Sequence, residues 1–127
     1  MPRQTGAKPS AVSRGSTEYV PDAGELVWFS FSPQAGKEQA GRRPALVLSP
    51  RAYNARAGLC VVCPVTNQAK GYPFEVMLPN DLPMTGTVLA DHVKSADWQI
   101  RNAEFVCVAP AVVLAEVRAK LKPLLGM

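Results

Sequence analysis

Proline and glycine punctuate this chain from end to end: twelve prolines and nine glycines among 127 residues. Proline inside a helix removes a hydrogen bond and clashes with the preceding turn. The pattern therefore argues against an all-helical bundle and for short strands joined by many turns. A chain of this length suits one domain, and it buries about two-thirds of its unfolded surface, so one modest core needs no covalent staple. Hydrophobic residues are 47% and charged residues 19%, which places the chain among globular rather than disordered proteins.

Between the breakers lie apolar runs of strand-forming residues. Residues 25–31 (ELVWFSF), 45–48 (ALVL) and 59–65 (LCVVCPV) read as strands, as do 74–78 and 86–89. Pro64 lacks a ladder donor and suggests an edge or strand-end position there. Residues 99–100 and 104–107 could add further pairing. The period then changes. Val113, Val117, Leu121, Leu124 and Leu125 fall at helical spacing, with Pro110 in the first turn and Gly126 at the stop, so 110–126 is expected to be a helix with Pro123 near its end. Short strands, irregular loops and a terminal helix predict a mostly β fold: a small, strongly curved barrel with a C-terminal α-helix.

Residues 1–18 differ in character. They are rich in Gly, Pro, Ser and Thr, carry Arg3, Lys8 and Arg14 against Glu18, and read as a disordered basic N-terminal tail. The remaining 19–127 reads as a single domain. The whole chain carries +4, and about half of that sits in the tail, so a nucleic-acid site must come from local placement of charge. Three cysteines is an odd number for a disulfide framework, which favours a reduced, cytoplasmic protein. No run of about 18 apolar residues is present to cross a membrane, and the N-terminus lacks the apolar segment of a secretory signal.

Two segments carry groups suited to chemistry. The connection 34–43 (QAGKEQAGRR) holds Lys37, Glu38, Arg42 and Arg43 between two strands. An arginine fork suits phosphate because it donates two parallel hydrogen bonds. Taken alone, a solvated hairpin tip is the simpler reading. Thr66, Asn67 and Gln68 close an apolar strand and offer a hydroxyl and two amides, which can hold a phosphate oxygen or a base edge, or serve only as turn residues. Cys60 and Cys63 have C-x2-C spacing, but positions three apart on a strand point to opposite faces. With a single His in the chain they read as core thiols rather than metal ligands.

In order along the chain, these segments resemble the MazF/PemK-like toxin endoribonucleases. The opening Tyr19-Val-Pro-Asp22-x-Gly24-Glu-Leu-Val-Trp28 is similar to theirs. So are Glu38-Gln-Ala-Gly41-x-Arg43-Pro44-Ala45, Val47-Leu48-Ser49-Pro50 with Tyr53-Asn54, 68–76 (QAKGYPFEV), and Leu89-Ala-Asp91 through Lys94-Ser95 with Trp98. The resemblance covers about residues 19–126. It implies a barrel related to SH3 domains, a homodimer, and sequence-specific cleavage of single-stranded RNA with no metal or other cofactor. It also implies neutralisation by a cognate MazE-like antitoxin. The family's key arginine falls on Arg43, its key threonine on Thr66 and its loop glutamate on Glu38. His92 stands where the family often has Gln, and is expected to be auxiliary.

The chemistry follows from residue types. The 2′-OH of RNA attacks the adjacent phosphate and leaves a 2′,3′-cyclic phosphate and a 5′-OH. A catalyst must accept one proton, supply another and stabilise the phosphorane's charge. Arg43 and the Thr66 hydroxyl can provide the stabilisation. Glu38 is chemically the easier base, and the family also assigns Arg43 a proton role, so that role stays open between the two. Lys37, Arg42, Arg56, Lys70 and Lys94 could line the RNA backbone, while Asn54, Asn67 and Gln68 could read base edges. Tyr72, Phe74 and Trp98 offer stacking surfaces, with core packing the default for Phe74. A non-catalytic SH3-like module that binds RNA or peptide is the alternative. The joint presence of Arg43, Thr66 and Glu38 favours the enzyme.

Overall fold

A computed structural model describes residues 19–31 and 41–127. The tail 1–18, and Lys37 and Glu38, lie outside the described residues. Seven antiparallel strands form the sheet: β1 (Glu25–Ser30), β2 (Arg42–Val47), β3 (Leu59–Thr66), β4 (Glu75–Met77), β5 (Thr87–Leu89), β6 (Lys94–Asp97) and β7 (Glu104–Val108). Helix α1 (Arg51–Ala57) joins β2 to β3, a 3-10 turn spans Ala90–His92, and α2 (Ala111–Leu124) ends the chain. The sheet order is β4-β5-β3-β2-β1-β7, with β6 paired to β3. The expected mostly β architecture with a C-terminal helix is what the chain adopts.

The apolar runs are continuous because the central strands are buried on both faces. Leu26, Leu46 and Cys63 lie opposite one another in register and enter one core with Val65, Val76 and Val88. Their neighbours Val27, Phe29, Ala45, Val47 and Val62 point the other way into a second core with Cys60, Ala96 and Trp98. Cys60 and Cys63 thus fall in different cores, as strand alternation requires. Burial pushes both thiols up to about 12.

Helix α2 covers the first core with Val113, Val117 and Leu121, one residue per turn. Its end is a two-bond cap. The Met127 N–H donates to Lys122 O and the Gly126 N–H to Pro123 O, with Gly126 at φ +73°, so glycine is used where the chain turns left-handed.

Several local expectations change. Pro64 lies within β3, at the two residues where one edge of that strand is paired with neither β6 nor β5. Residues 99–100 are a turn, and the strand there is β6, the four residues Lys94–Asp97 that precede the turn. Helix α1 adds an element that the sequence pattern does not show, because its seven residues are too few for a period. The start of β2 is Arg42, so Arg42, Arg43 and Pro44 are strand residues and not part of a loop.

Candidate active site

The register between β2 and β3 decides which functional groups meet. Ala45 lies opposite Pro64 as the last β2–β3 pair at this end, and Arg43 and Thr66 stand two residues beyond it on their own strands. Opposed residues share a face and so do residues two apart along a strand, so the arginine and the threonine project from the same face at one end of the sheet. Arg43 is half-buried and lies opposite Phe29 on its other side. Thr66 is buried, with 7% of its surface exposed, and pairs with Thr87. Its Oγ1 accepts the Gln68 N–H at 3.1 Å, which starts the turn that follows.

Gly86 backs this corner. A Cβ there would stand 2.7 Å from Val65 Cγ1 and 2.8 Å from Thr66 O, at a φ of +133° that side chains rarely adopt. The close approach of the β4–β5 connection to the strand carrying Thr66 therefore requires glycine. The next residue back, Thr85, donates through Oγ1 to Asn67 Oδ1 at 3.3 Å.

The segment after Thr66 is an ordered, exposed loop. Glu75 accepts the N–H groups of Lys70 and Gly71 at 3.1 and 2.9 Å, and Lys120 on α2 donates to Pro73 O at 2.6 Å. Asn67, Gln68, Lys70 and Tyr72 are exposed on it, Tyr72 at 60%. Phe74 packs against the first core, as its default reading had it. Lys94 begins β6 opposite Val62, on the face shared with Thr66, and is half-buried.

Other expected contacts are not brought to this corner. Arg56 lies on α1, which leads into the Leu59 end of β3. Seven strand steps separate Leu59 from Thr66, roughly 23 Å. Asn54 is fully buried. Its Nδ2 donates to Pro21 O and Ser49 O, both at 2.9 Å, and its Oδ1 accepts from Ser49 Oγ at 2.6 Å. An amide so engaged cannot read a base edge, and the expectation for Asn54 is corrected. Trp98 is also buried, and its Nε1–H donates to Asn54 O at 2.8 Å, so it is a core residue and not a stacking platform. The Arg42 guanidinium is held by Ser30, Asn102 and Glu104. His92 is half-buried at the end of the 3-10 turn.

At the opposite end of the sheet, a polar cluster secures the chain's entry. Glu25 is buried and accepts from the Tyr19 hydroxyl, from the Asp22 N–H at 3.0 Å and from Arg51 Nη2 at 3.0 Å. Desolvation raises the Glu25 carboxyl above the usual carboxylate range, against the opposing pull of its hydrogen bonds and of Arg51. Burial, with Glu25 alongside, likewise raises the Tyr19 phenol. The motif shared by 19–25 therefore does structural work remote from Thr66. Arg51 and Gly86 are not marked out by any motif in the sequence. The proline before Arg51 hinted at the first, and the Thr-Gly-Thr at 85–87 hinted at the second.

Comparison with known proteins agrees with this architecture. Residues 22–125 match the family described as PemK-like, MazF-like toxin of type II toxin-antitoxin system. The chain is 46% identical over 110 residues to the endoribonuclease toxin MazF of Escherichia coli K12, covering 87% of this chain and 98% of that one. It is 34% identical over 108 residues to the Escherichia coli endoribonuclease PemK, covering 82% and 81%. Among solved structures, MazF from Deinococcus radiodurans superposes with a TM-score of 0.84 at 66% identity, covering 87% of this chain and 100% of that chain. A MazE–MazF complex from the same organism gives 0.77 at 61% identity, covering 87% and 99%.

Proposed function

This chain belongs to the PemK-like, MazF-like toxin family of type II toxin–antitoxin systems, and from that membership we propose that it is a sequence-specific endoribonuclease cleaving single-stranded RNA without a metal. The observation that carries the reading is the β2–β3 register, with Ala45 opposite Pro64, which supports Arg43 and Thr66 on one face of the sheet. The 2′-oxygen attacks phosphorus and the P–O5′ bond breaks. The 2′-OH proton passes to a base, and a general acid gives a proton to the 5′-oxygen, which leaves as a hydroxyl. The Arg43 fork and the Thr66 O–H are the donors to the non-bridging oxygens as charge builds on them. The proposed base is Glu38 or Arg43. Asn67, Gln68 and Lys70 are exposed along the loop that leaves Thr66, and with Lys94 they form the track for substrate.

The remaining features of the reading follow from the same membership. The chain acts as a homodimer with a cognate MazE-like antitoxin, in the cytoplasm. Residues 19–127 constitute the toxin domain, and 1–18 a basic tail. Among the described residues no helix is long and apolar enough to cross a membrane.

The test is incubation of wild-type and Arg43→Ala protein with a long single-stranded RNA in EDTA, with the cut sites and end groups mapped. Discrete cuts with cyclic-phosphate and 5′-OH ends, absent in the variant, are expected. Arg43→Lys keeps the charge but loses the fork, so full activity in that variant would refute bidentate binding. Folded wild type that makes no cuts would move the reading to a binding module, and cuts that need added metal would overturn the mechanism.

A further inference from the structure

Arg42 and Arg43 are neighbours on β2, and strand alternation sends them to opposite faces. Arg43 goes to the face of Thr66. Arg42 is bound by its own set of partners. Its Nη1 donates to Ser30 Oγ at 3.1 Å, and its Nη2 donates to Asn102 O at 2.9 Å and to the Glu104 carboxylate. Those acceptors belong to β1, to the turn before β7, and to β7. One side chain therefore ties the first residue of β2 to both neighbouring pieces of chain.

The backbone is fastened at the same place. The Phe31 N–H donates to Gly41 O at 2.9 Å and closes the base of the β1–β2 connection, while the Ser30 N–H donates to Arg101 O at 3.0 Å. Asn102, whose carbonyl Arg42 takes, has φ +57°, and is the non-glycine residue in the left-handed region among the described residues. A short polar residue is suited to that conformation.

We propose that Arg42 is a positioning residue: it fixes the start of β2 and thereby the aim of Arg43, and it does not contact RNA. The inference rests on the endoribonuclease reading above. Three acceptors on three segments define one orientation of the fork, and Glu104 offsets the charge a phosphate would otherwise feel. The Cα–Cβ direction at position 43 follows from the backbone at 42. A displacement of about 1 Å at a reacting group can cost a hundredfold in rate, so loss of part of this tie registers in turnover.

The test compares Arg42→Ala, Arg42→Lys and Glu104→Gln in the full chain. The readouts are kcat and KM on an RNA carrying a mapped cut site, and the dependence of RNA affinity on salt. Arg42→Ala is expected to lower kcat about tenfold with KM within about twofold. Its salt slope stays that of wild type. Arg42→Lys and Glu104→Gln fall in between. A direct phosphate contact predicts the reverse: higher KM, unchanged kcat, and a salt slope shallower by about 0.7. That result would overturn the proposal, as would Arg42→Ala with wild-type kcat. If wild type itself cuts no RNA, the underlying reading falls and this inference with it. If wild type cuts and the variants cut equally well, only this inference falls.

Discussion

Replacing Asn54 with alanine should destabilise the protein heavily while sparing its chemistry per folded molecule. The side chain is fully buried and its amide joins Pro21 O, Ser49 O and Ser49 Oγ. The Ser49 Oγ also accepts the Val61 N–H at 2.8 Å, so the hub links the entry of the chain, the β2–α1 corner and β3. Truncation strands two carbonyls and one hydroxyl. Each buried unsatisfied group costs about 1–3 kcal/mol, and a water entering the space recovers part of this. The sum is about 3–5 kcal/mol, a large part of the roughly 5–15 kcal/mol that holds a typical domain. With a urea m-value of about 1.5 kcal/mol/M the midpoint falls by about 2–3 M. Urea titration at fixed protein concentration measures this, followed by tryptophan fluorescence: Trp98 is buried against the same hub, whereas Trp28 is 40% exposed and contributes a small change. RNA cleavage at low temperature, normalised to folded protein, is expected at the wild-type level. A loss below about 1 kcal/mol together with altered cut-site preference would refute the reasoning and return Asn54 to the RNA surface.

Three further outcomes are expected. Gly86→Ala forces a Cβ against Val65 and Thr66 O at a positive φ; it should cost about 2 kcal/mol or more and slow cleavage, both read by thermal melting and a turnover assay. Cys60 and Cys63, with thiols raised from 9.0 to about 12, should resist a thiol reagent at pH 8 in the native state and react on unfolding. Because the fold disfavours their thiolates, stability is expected to be lost as pH climbs from 9 towards 12, and Cys60→Ser to shrink that loss. The raised Glu25 carboxyl makes a contribution present in full below its unfolded value and lost as pH rises through its folded value; Glu25→Gln removes that fall, so the acid side of its Tm-against-pH curve should climb more steeply than that of wild type.

What could be read from the sequence was set by how local its cause was. The runs at β1, β2 and β3 announced themselves because both faces of those strands are buried, leaving no polar alternation to dilute the signal. Helix α2 declared its period over three turns. Helix α1 was hidden because one buried residue, Asn54, gives no period, and because its polar identity suggests a surface. The strand β6 (KSAD) contains one buried residue and was passed over for the turn that follows it. At the candidate site, Arg43 and Thr66 were legible through family resemblance, whereas their juxtaposition is a property of register that neither segment contains by itself. The roles of Asn54, Trp98 and Arg42 depend on partners about thirty to sixty residues away, and no local pattern encodes them.

The strand β3 is bordered by β2 along one edge and by β6 and then β5 along the other, and it contributes to both cores. Its amides should therefore exchange with solvent only when the whole molecule opens, in a single cooperative unit that includes Thr66. An inhibitor that worked by loosening this corner would have to supply the entire unfolding free energy. One that covers the corner needs only its own binding energy. For a molecule built this way, shutting off the site means capping it, because a half-melted, half-active form has no separate unit of structure to occupy.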